Sequence, residues 1–307
     1  MPLSEQAYLY DYKNFENIKE KLKDGSFINF IDEFLKNKDQ FYFNDKDYYC
    51  IKYLDQDDKA GYENGPRFEY KINSDYFRNN HFKTITDKSN VILSAGCSIT
   101  FGQGLPEKYT WPRLLEQSSI NETNNLEVIN LGSPGLDISL IIKNIMSFVY
   151  KYGKPKTILA LFPSMSRQLF FHEGLQRYTM LIPNLFYLEK PKGDKTLFNK
   201  TKNYVFEDAL YYTSNQIRLF EKFCKNSGIN LVWSSWQQDD LKIYRELEFE
   251  SYFENKRFIM KDAGENSFDI DNKYEQYSLL ARDAAHPGIL YSKNISLGFL
   301  ERLQKND

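Results

Sequence analysis

A serine stands on a glycine-bounded turn directly after a short apolar run. The run is Val91-Ile-Leu-Ser-Ala95, and the turn that follows is Gly96-Cys-Ser-Ile-Thr-Phe-Gly102. A serine two residues beyond a buried strand is presented where backbone N–H groups at a helix N-terminus can stabilise an oxyanion. Ser98 is therefore a candidate nucleophile. An ordinary strand-to-helix turn, in which Ser98 only caps the next helix, explains the same pattern equally well.

An aspartate precedes a histidine by three positions near the C-terminus, in Asp283-Ala-Ala-His286-Pro-Gly. On a turn, the Asp283 carboxylate can bend back to Nδ1 of His286 and fix the tautomer of the imidazole, which leaves Nε2 facing a nucleophile. The pair thus supplies two members of a Ser-His-Asp triad. The alternative is an Asp283 that caps the C-terminal helix beside a surface histidine.

A third signal is the glycine-rich turn Asn130-Leu-Gly-Ser-Pro-Gly135, which follows a second apolar run. A glycine lets the backbone approach a bound oxygen closely, so the Gly135 N–H is a candidate oxyanion donor. The alternative is a turn that needs glycine for its torsion angles alone. A thiol nucleophile at Cys97 is disfavoured, because a free cysteine is most often a small buried hydrophobe.

The segments that must position these residues alternate between apolar runs and amphipathic stretches. The pattern predicts, in order, strand 91–95, helix 110–118, strand 127–131, helix 137–152, strand 157–162, helix 208–225, strand 229–233 and a closing helix over 288–303. Buried strands that alternate with helices are typical of a three-layer α/β fold with a doubly wound, mostly parallel sheet. Functional residues of such folds lie at the carboxyl ends of the strands.

The first 89 residues differ in texture from the remainder. Two amphipathic helices are predicted near residues 14–22 and 27–35, followed by an aromatic, acidic stretch over 41–58. We therefore predict an N-terminal extension of unknown role over residues 1–89 and one α/β domain over residues 90–307. We expect the second part to fold without the first.

The composition excludes several classes of protein. A chain of 307 residues can bury a sizeable core, and 40 Lys+Arg against 42 Asp+Glu leaves a net charge of −2, which argues against nucleic-acid binding. There is no basic start followed by an apolar run, and no stretch approaches about 18 apolar residues. We therefore expect no secretory signal, no membrane span and a cytoplasmic location.

Neither a metal nor a cofactor is expected. The 3 cysteines are far apart and form no CxxC pair, and no dinucleotide-binding or Walker glycine pattern occurs. Asp239 and Asp240 lack a third ligand at useful spacing, which favours a solvated loop. Trp233 and Trp236 could stack on a sugar, but a core position is favoured for both.

Taken together and in order, three blocks resemble the SGNH/GDSL hydrolase superfamily. They are Gly-x-Ser-x-Thr-x-Gly at 96–102, Asn-x-Gly-x-x-Gly at 130–135 and Asp-x-x-His-Pro at 283–287. The resemblance spans about residues 90–303. The segment Ile72-Asn-Ser-Asp-Tyr-Phe-Arg78 also resembles the N-S-x-G-F-R lead-in of some such domains, with Tyr76 in place of the usual glycine.

The resemblance implies a flavodoxin-like three-layer fold and a metal-free serine esterase. It implies that Ser98 is the nucleophile, that His286 is the base and that Asp283 orients it. The oxyanion hole is then formed by the N–H groups of Ser98 and Gly135.

Two departures from the superfamily pattern bear on this expectation. Cys97 replaces the aspartate that usually precedes the serine. That aspartate is not a member of the triad. After the third strand the family has an asparagine that donates to the oxyanion, whereas this chain has Phe162-Pro-Ser-Met-Ser-Arg167. Ser164 stands at the position of that asparagine, so its hydroxyl and the guanidinium of Arg167 are the candidate replacements.

The expected substrate is a small-molecule or glycan ester that carries a short acyl group, such as acetyl on carbohydrate. Fold never settles substrate, however. The alternative is a non-catalytic carbohydrate-binding or structural module, for example in a virion, which keeps the fold but has lost the oxyanion asparagine. The oligomeric state is left open by the sequence.

Overall fold

The computed structural model describes residues 26–27, 41–43, 49–51, 68–86, 91–117, 126–172, 177–181, 206–237, 241–255, 270–283 and 286–305. The helices predicted near residues 14–22 and 27–35 lie outside this part of the chain, apart from Phe27 at its edge. No helix within the described residues is long and apolar enough to cross a lipid bilayer.

The described strands are β1 (Phe41–Phe43), β2 (Tyr49–Ile51), β3 (Tyr70–Ile72), β4 (Val91–Gly96), β5 (Glu127–Gly132), β6 (Thr157–Phe162), β7 (Gln168–His172), β8 (Arg177–Leu181) and β9 (Asn230–Ser235). The α-helices are α1 (Ser98–Phe101), α2 (Trp111–Glu116), α3 (Ile138–Tyr152), α4 (Phe206–Ser227), α5 (Leu241–Leu247) and α6 (Ile289–Gln304). Short 3₁₀ helices occupy Glu107–Tyr109 and Asn272–Tyr277.

The central sheet has four parallel strands in the order β5-β4-β6-β9. Its strands are near-continuous apolar runs because both faces are covered by helices, as a parallel sheet requires. The order places the second strand of the domain beside the first and the third on its other side, as in flavodoxin-like folds. The predicted fold class is confirmed. The order reverses at β4, so the carboxyl end of β4 borders the crevice where such folds bind ligands.

Alternate side chains of β4 face opposite helical layers. Leu93 and Ala95 lie in the cluster that contains residues of α3 and α4, whereas Ile92 lies in the cluster that contains residues of α2 and α6. The second layer is closed by Trp111 of α2 stacked on Phe299 of α6, with ring centroids 5.0 Å apart. These two layers fix the direction of β4 and therefore the position of the residues that follow it.

Three elements were not predicted from the sequence. The aromatic, lysine-rich segment over 165–205 contains the antiparallel pair β7 and β8. Helix α5 packs beside β9, where Tyr244 lies edge-on to Trp233 with ring centroids 5.2 Å apart. The third element is the small antiparallel sheet β1-β2-β3, which lies within the predicted N-terminal extension.

Residues 68–86 pack directly onto the α/β domain. Phe77 is fully buried in the cluster that contains α3 and α4. The ring of Phe82 lies edge-on to Phe148 of α3, with centroids 5.2 Å apart. The domain boundary at residue 90 stays a prediction, but side chains from both sides of it share one core.

Tyr76 adopts the left-handed backbone conformation, with φ of 66°. The turn around it is held by Asn73, whose Oδ1 accepts the backbone N–H groups of Asp75 and Phe77, both at 3.0 Å. This is the position at which the resembling lead-in has glycine, which adopts such torsion angles without a steric penalty. The tyrosine therefore carries backbone strain at this turn.

We expect Tyr76→Gly to be more stable than Tyr76→Ala. Both variants remove the ring, but only alanine keeps a Cβ in the left-handed conformation, so the difference should be about 1 kcal/mol. Urea denaturation measures it. Ser74, which is exposed and has no positive φ, is the matched control. There the order should reverse, and an alanine variant at position 76 as stable as the glycine variant would contradict the expectation.

Candidate active site

The turn that carries Ser98 is set by Gly96 and Gly102. A Cβ at Gly96 would lie 2.0 Å from Thr100 Oγ1, so only glycine lets β4 end this close to α1. Gly102 has φ of 78° and donates its N–H to Ser98 O at 2.9 Å, which ends the helix after one turn. Ser98 is thus the first residue of α1, directly at the carboxyl edge of the sheet.

Ser98, Asp283 and His286 form one chain of hydrogen bonds. Ser98 Oγ lies 2.8 Å from His286 Nε2, and His286 Nδ1 lies 2.6 Å from Asp283 Oδ2. Asp283 Oδ1 also accepts the backbone N–H of His286 at 3.0 Å. The three predicted triad residues are brought together, although 188 positions separate Ser98 from His286.

The environment of His286 fixes its tautomer. The Asp283 side chain is fully buried and, as a carboxylate, only accepts hydrogen bonds, so Nδ1 carries the proton. In the neutral imidazole, Nε2 is the nitrogen that can accept the Ser98 hydroxyl proton. The His286 side chain is 20% exposed, which leaves one edge of the site open to a ligand. The buried carboxylate also stabilises the imidazolium that forms when Nε2 is protonated.

The Asp283 turn is braced by the loop that follows α1. Gly104, with φ of 74°, accepts the Arg282 N–H at 2.8 Å, and its own N–H donates to Tyr70 Oη at 2.8 Å. A Cβ at Gly104 would lie 2.7 Å from Ala281 Cβ. The loop and the turn are therefore in direct contact, which sets the position of Asp283 relative to Ser98.

Arg78 donates hydrogen bonds to the same loop, a role that the sequence analysis did not predict. It is buried and donates Nη1 to Gly102 O at 2.7 Å and Nη2 to Leu105 O at 2.8 Å. Its guanidinium carbon lies 4.6 Å from the centroid of the Tyr70 ring. The available signal was the lead-in motif that ends at Arg78, but the motif does not show what the arginine binds.

The Asn130–Gly135 turn packs against α1. Asn130 Nδ2 donates to Thr100 O at 3.0 Å, and Asn130 Oδ1 accepts the Gly132 N–H at 2.7 Å. A Cβ at Gly132 would lie 2.2 Å from the Phe101 backbone nitrogen. Gly135 has φ of 76°, which glycine adopts freely. The role of its N–H as an oxyanion donor stays a prediction.

Ser164 and Arg167 lie on the turn after β6, which neighbours β4. Ser164 is buried, and its Oγ accepts the Ser166 N–H at 3.2 Å and lies 2.7 Å from Ser166 Oγ. Arg167 donates its backbone N–H to Ser164 O at 3.1 Å and its Nη1 to Leu136 O at 3.3 Å. Both residues are therefore at the edge of the sheet that carries Ser98, and their part in an oxyanion hole stays a prediction.

The two cysteines with described side chains are unsuited to nucleophilic chemistry. Cys97 is buried, and its Sγ lies 3.9 Å from Ser98 Oγ, whereas the imidazole contacts the serine. Burial raises the pKa of the Cys224 thiol to about 12. A thiolate, the reactive form, is thus disfavoured at Cys224.

The two tryptophans near the end of β9 differ in environment. Trp233 is fully buried and donates its indole N–H to Glu221 at 3.0 Å, so it is a core residue. Trp236 is partly exposed at the edge of the sheet. Within the described stretches no group of three or more His, Cys, Asp or Glu side chains is placed to hold a metal ion. Asp239 and Asp240 lie outside those stretches.

Comparison with known proteins finds similarity in solved structures. No protein-family model matches the sequence, and no curated protein sequence does. A protein described as lipolytic and of the G-D-S-L family, from Desulfitobacterium hafniense, is 14% identical, with a TM-score of 0.40 over 69% of this chain and 98% of that one. The esterase EstA from a Pseudoalteromonas species is 13% identical, with a TM-score of 0.43 over 71% of this chain and 100% of that one.

An acetyl xylan esterase from the rumen bacterium Butyrivibrio proteoclasticus is also similar. It is 11% identical, with a TM-score of 0.40 over 74% of this chain and 66% of that one. The fold and the three hydrogen-bonded side chains together describe an α/β protein with the geometry of a serine triad.

Proposed function

We propose that the protein is a serine-dependent ester hydrolase that transfers an acyl group to water. The proposal rests on the unbroken hydrogen-bond path from the buried Asp283 carboxylate through His286 to Ser98 Oγ. A structural serine needs neither a tautomer-fixed imidazole nor a buried carboxylate behind it. Burying that carboxylate costs free energy, and the imidazole is the partner that offsets the cost.

Acylation begins when Ser98 Oγ forms a bond to the ester carbonyl carbon while its proton passes to His286 Nε2. The bond from the carbonyl carbon to the alcohol oxygen then breaks, and His286 returns the proton to the departing alcohol. Asp283 stabilises the imidazolium throughout and keeps its own charge.

Deacylation repeats these steps with water as the nucleophile. His286 Nε2 takes a proton from the water as its oxygen attacks the acyl carbon, and the bond to Ser98 Oγ breaks. The proton then passes to Ser98 Oγ, and the carboxylic acid leaves. No metal or cofactor is needed for either half of the reaction.

In this mechanism the oxyanion is bound by the N–H groups of Ser98 and Gly135 and by the Ser164 hydroxyl. Ser164 is supported as the third donor by its buried position and by the Ser166 N–H that it accepts. That bond occupies one lone pair of Ser164 Oγ, and the Ser164 proton is available to a ligand when the Ser166 hydroxyl donates to Ser164 Oγ, which lies 2.7 Å away.

Ser164→Ala should lower kcat about 100-fold, because losing one oxyanion donor costs two to three orders of magnitude in rate. Ser164→Asn, which supplies the donor found at this position in the resembling family, should recover most of the loss. Ser94→Ala is the matched control, since Ser94 is a buried serine within β4 that donates to Ile129 O at 2.9 Å. Unchanged kcat in Ser164→Ala would exclude the hydroxyl from the oxyanion hole.

The proposed substrates are short acyl esters, such as acetyl groups on carbohydrate. Trp236 supports this choice because it is a partly exposed ring at the carboxyl edge of the same sheet, where a sugar face can stack. Release of acetate from a panel of acetylated mono- and oligosaccharides tests it. The proposal expects release by the wild type and none by Ser98→Ala. Turnover confined to lipid-like acyl chains would contradict the carbohydrate assignment and leave the esterase chemistry in place.

The second candidate is a non-catalytic carbohydrate-binding or structural module on the same fold. It is favoured by one observation, the serine at position 164 where the resembling family has asparagine. The buried position of Trp233 removes one of the two rings that would have supported it. Glycan binding without Ser98-dependent turnover of any ester would favour this candidate.

A further inference from the structure

Arg167 reaches across the strand end that carries Ser98. It follows β6, yet its Nη1 donates to Leu136 O, which follows β5, at 3.3 Å. The strand between β5 and β6 is β4, and neighbouring strands of a sheet are about 4.8 Å apart. The guanidinium therefore lies at the same carboxyl edge of the sheet as Ser98, which follows β4.

Contacts on two sides hold the guanidinium in place. Leu136 binds Nη1, and the guanidinium carbon lies 5.8 Å from the centroid of the Trp236 ring, which comes from the end of β9. The Arg167 Nε is shut off from solvent and makes no hydrogen bond, whereas Nη2 is accessible and makes none within the described residues. The Arg167 guanidinium is thus held in position while both N–H donors of its Nη2 stay open to a ligand.

The positive charge of Arg167 has no acidic partner among the residues that the structure describes. Arg113, which is also partly buried, shows the usual arrangement, with Glu107 at 3.1 Å and Glu116 at 2.8 Å. A charge that is partly withdrawn from water costs free energy unless an opposite charge or several hydrogen bonds compensate it. A carbonyl and an aromatic face compensate Arg167 only in part.

We propose that Arg167 binds an anionic group of the substrate, so that this site acts on esters that carry a carboxylate near the scissile bond. The planar guanidinium matches a carboxylate in shape, and its open Nη2 can donate a charge-assisted hydrogen bond to it. The Trp236 ring packs against the guanidinium. The inference rests on the proposed esterase function and specifies its substrate class.

Two matched pairs of esters test the inference. On the acyl side the pair is p-nitrophenyl butyrate and p-nitrophenyl hemisuccinate, which have the same chain length and differ in the terminal carboxylate. On the alcohol side the pair is the methyl glycosides of mono-O-acetyl galactose and mono-O-acetyl galacturonic acid. The wild type should prefer the anionic member of one pair by about 10- to 100-fold in kcat/KM, as expected for a charge-assisted hydrogen bond. The pair that shows the preference tells which side of the ester carries the charge.

Arg167→Gln should abolish the preference, chiefly by raising KM for the anionic ester. Arg167→Lys should keep part of the preference, because the lysine ammonium keeps the positive charge but lacks the planar arrangement of donors. Arg218→Gln is the matched control, since Arg218 also lies over a ring, 5.0 Å from the Phe249 centroid, and donates to a carbonyl, that of Leu247. The control should keep the wild-type preference.

Ser98-dependent turnover without preference in either pair would overturn the inference and leave the esterase function standing. Equal losses on neutral and anionic esters in Arg167→Gln would also overturn it, because that pattern assigns Arg167 to the oxyanion or to the fold. Absence of all turnover would overturn the proposed function. In that case calorimetry with succinate and galacturonate tests the anion site directly. Binding to the wild type that is lost in Arg167→Gln would support the anion site. Absence of binding to the wild type would overturn the inference.

Discussion

Ser98→Ala is expected to lower kcat/KM for p-nitrophenyl acetate and butyrate by about ten-thousand- to a million-fold, to near the background rate. The size of the effect follows from the geometry, because the Ser98 hydroxyl is the nucleophile that contacts His286 Nε2 among the described side chains, at 2.8 Å. The fold should survive, since Ser98 is partly exposed and the change removes one oxygen atom. Stopped assays at several enzyme concentrations measure the residual rate.

Cys97→Ala is the control for this result. Cys97 precedes Ser98, and its Sγ is 3.9 Å from Ser98 Oγ, so it is the thiol nearest to the proposed nucleophile among the described side chains. Its removal should cost about 1 kcal/mol of stability as a small core truncation, with turnover retained. The reverse pattern, with loss in Cys97→Ala and turnover in Ser98→Ala, would assign the chemistry to the thiol. Equal background rates in the wild type and Ser98→Ala would reject the esterase for these substrates.

The sheet could be predicted from the sequence because its strands are buried on both faces. A strand covered on both sides is a short, continuous apolar run, and the runs that begin at Val91 and Thr157 show this pattern. The hairpin of β7 and β8 could not be predicted, because its sequence lacks a clear period and its pairing depends on contacts that the local sequence does not specify. The local sequence specifies whether a run is buried, but not which neighbour covers it.

In the candidate site, too, the local features could be predicted from the sequence and the long-range contacts could not. Ser98 and the Asp283–His286 pair could be found because each lies on a turn with its own local chemistry. The contacts that bring them together could not, because they join distant parts of the chain. Arg78 donates to Leu105 O from 27 positions away, and the Gly104 N–H donates to Tyr70 Oη across 34 positions. No local pattern distinguishes an arginine that binds carbonyls from one that lies on the surface.

Arg78→Met is expected to destabilise the protein by about 3–5 kcal/mol, a large part of the stability of an ordinary domain. Methionine fills part of the volume but leaves Leu105 O without its side-chain donor, at a cost of about 1–3 kcal/mol, and leaves Gly102 O with the Leu105 N–H alone. It also removes the contact of the guanidinium with the Tyr70 ring. Urea denaturation followed by fluorescence measures the free energy of unfolding. Arg218→Met is the control, because Arg218 is an exposed arginine that also donates to one carbonyl, and its change should be within about 1 kcal/mol.

The same contacts argue that the chain needs residues 68–86. A fragment over 90–307 lacks Arg78, Tyr70 and Phe77, so the loop at Gly104 loses the Arg78 donor and the Tyr70 acceptor, and the core loses a buried ring. The sequence led us to expect that this fragment folds, whereas the contacts favour an insoluble product. A soluble 90–307 fragment with a cooperative unfolding transition would show that the carbonyls find other donors. It would also imply that Arg78→Met is far less damaging than proposed, so the fragment and the variant test one physical claim in two independent ways.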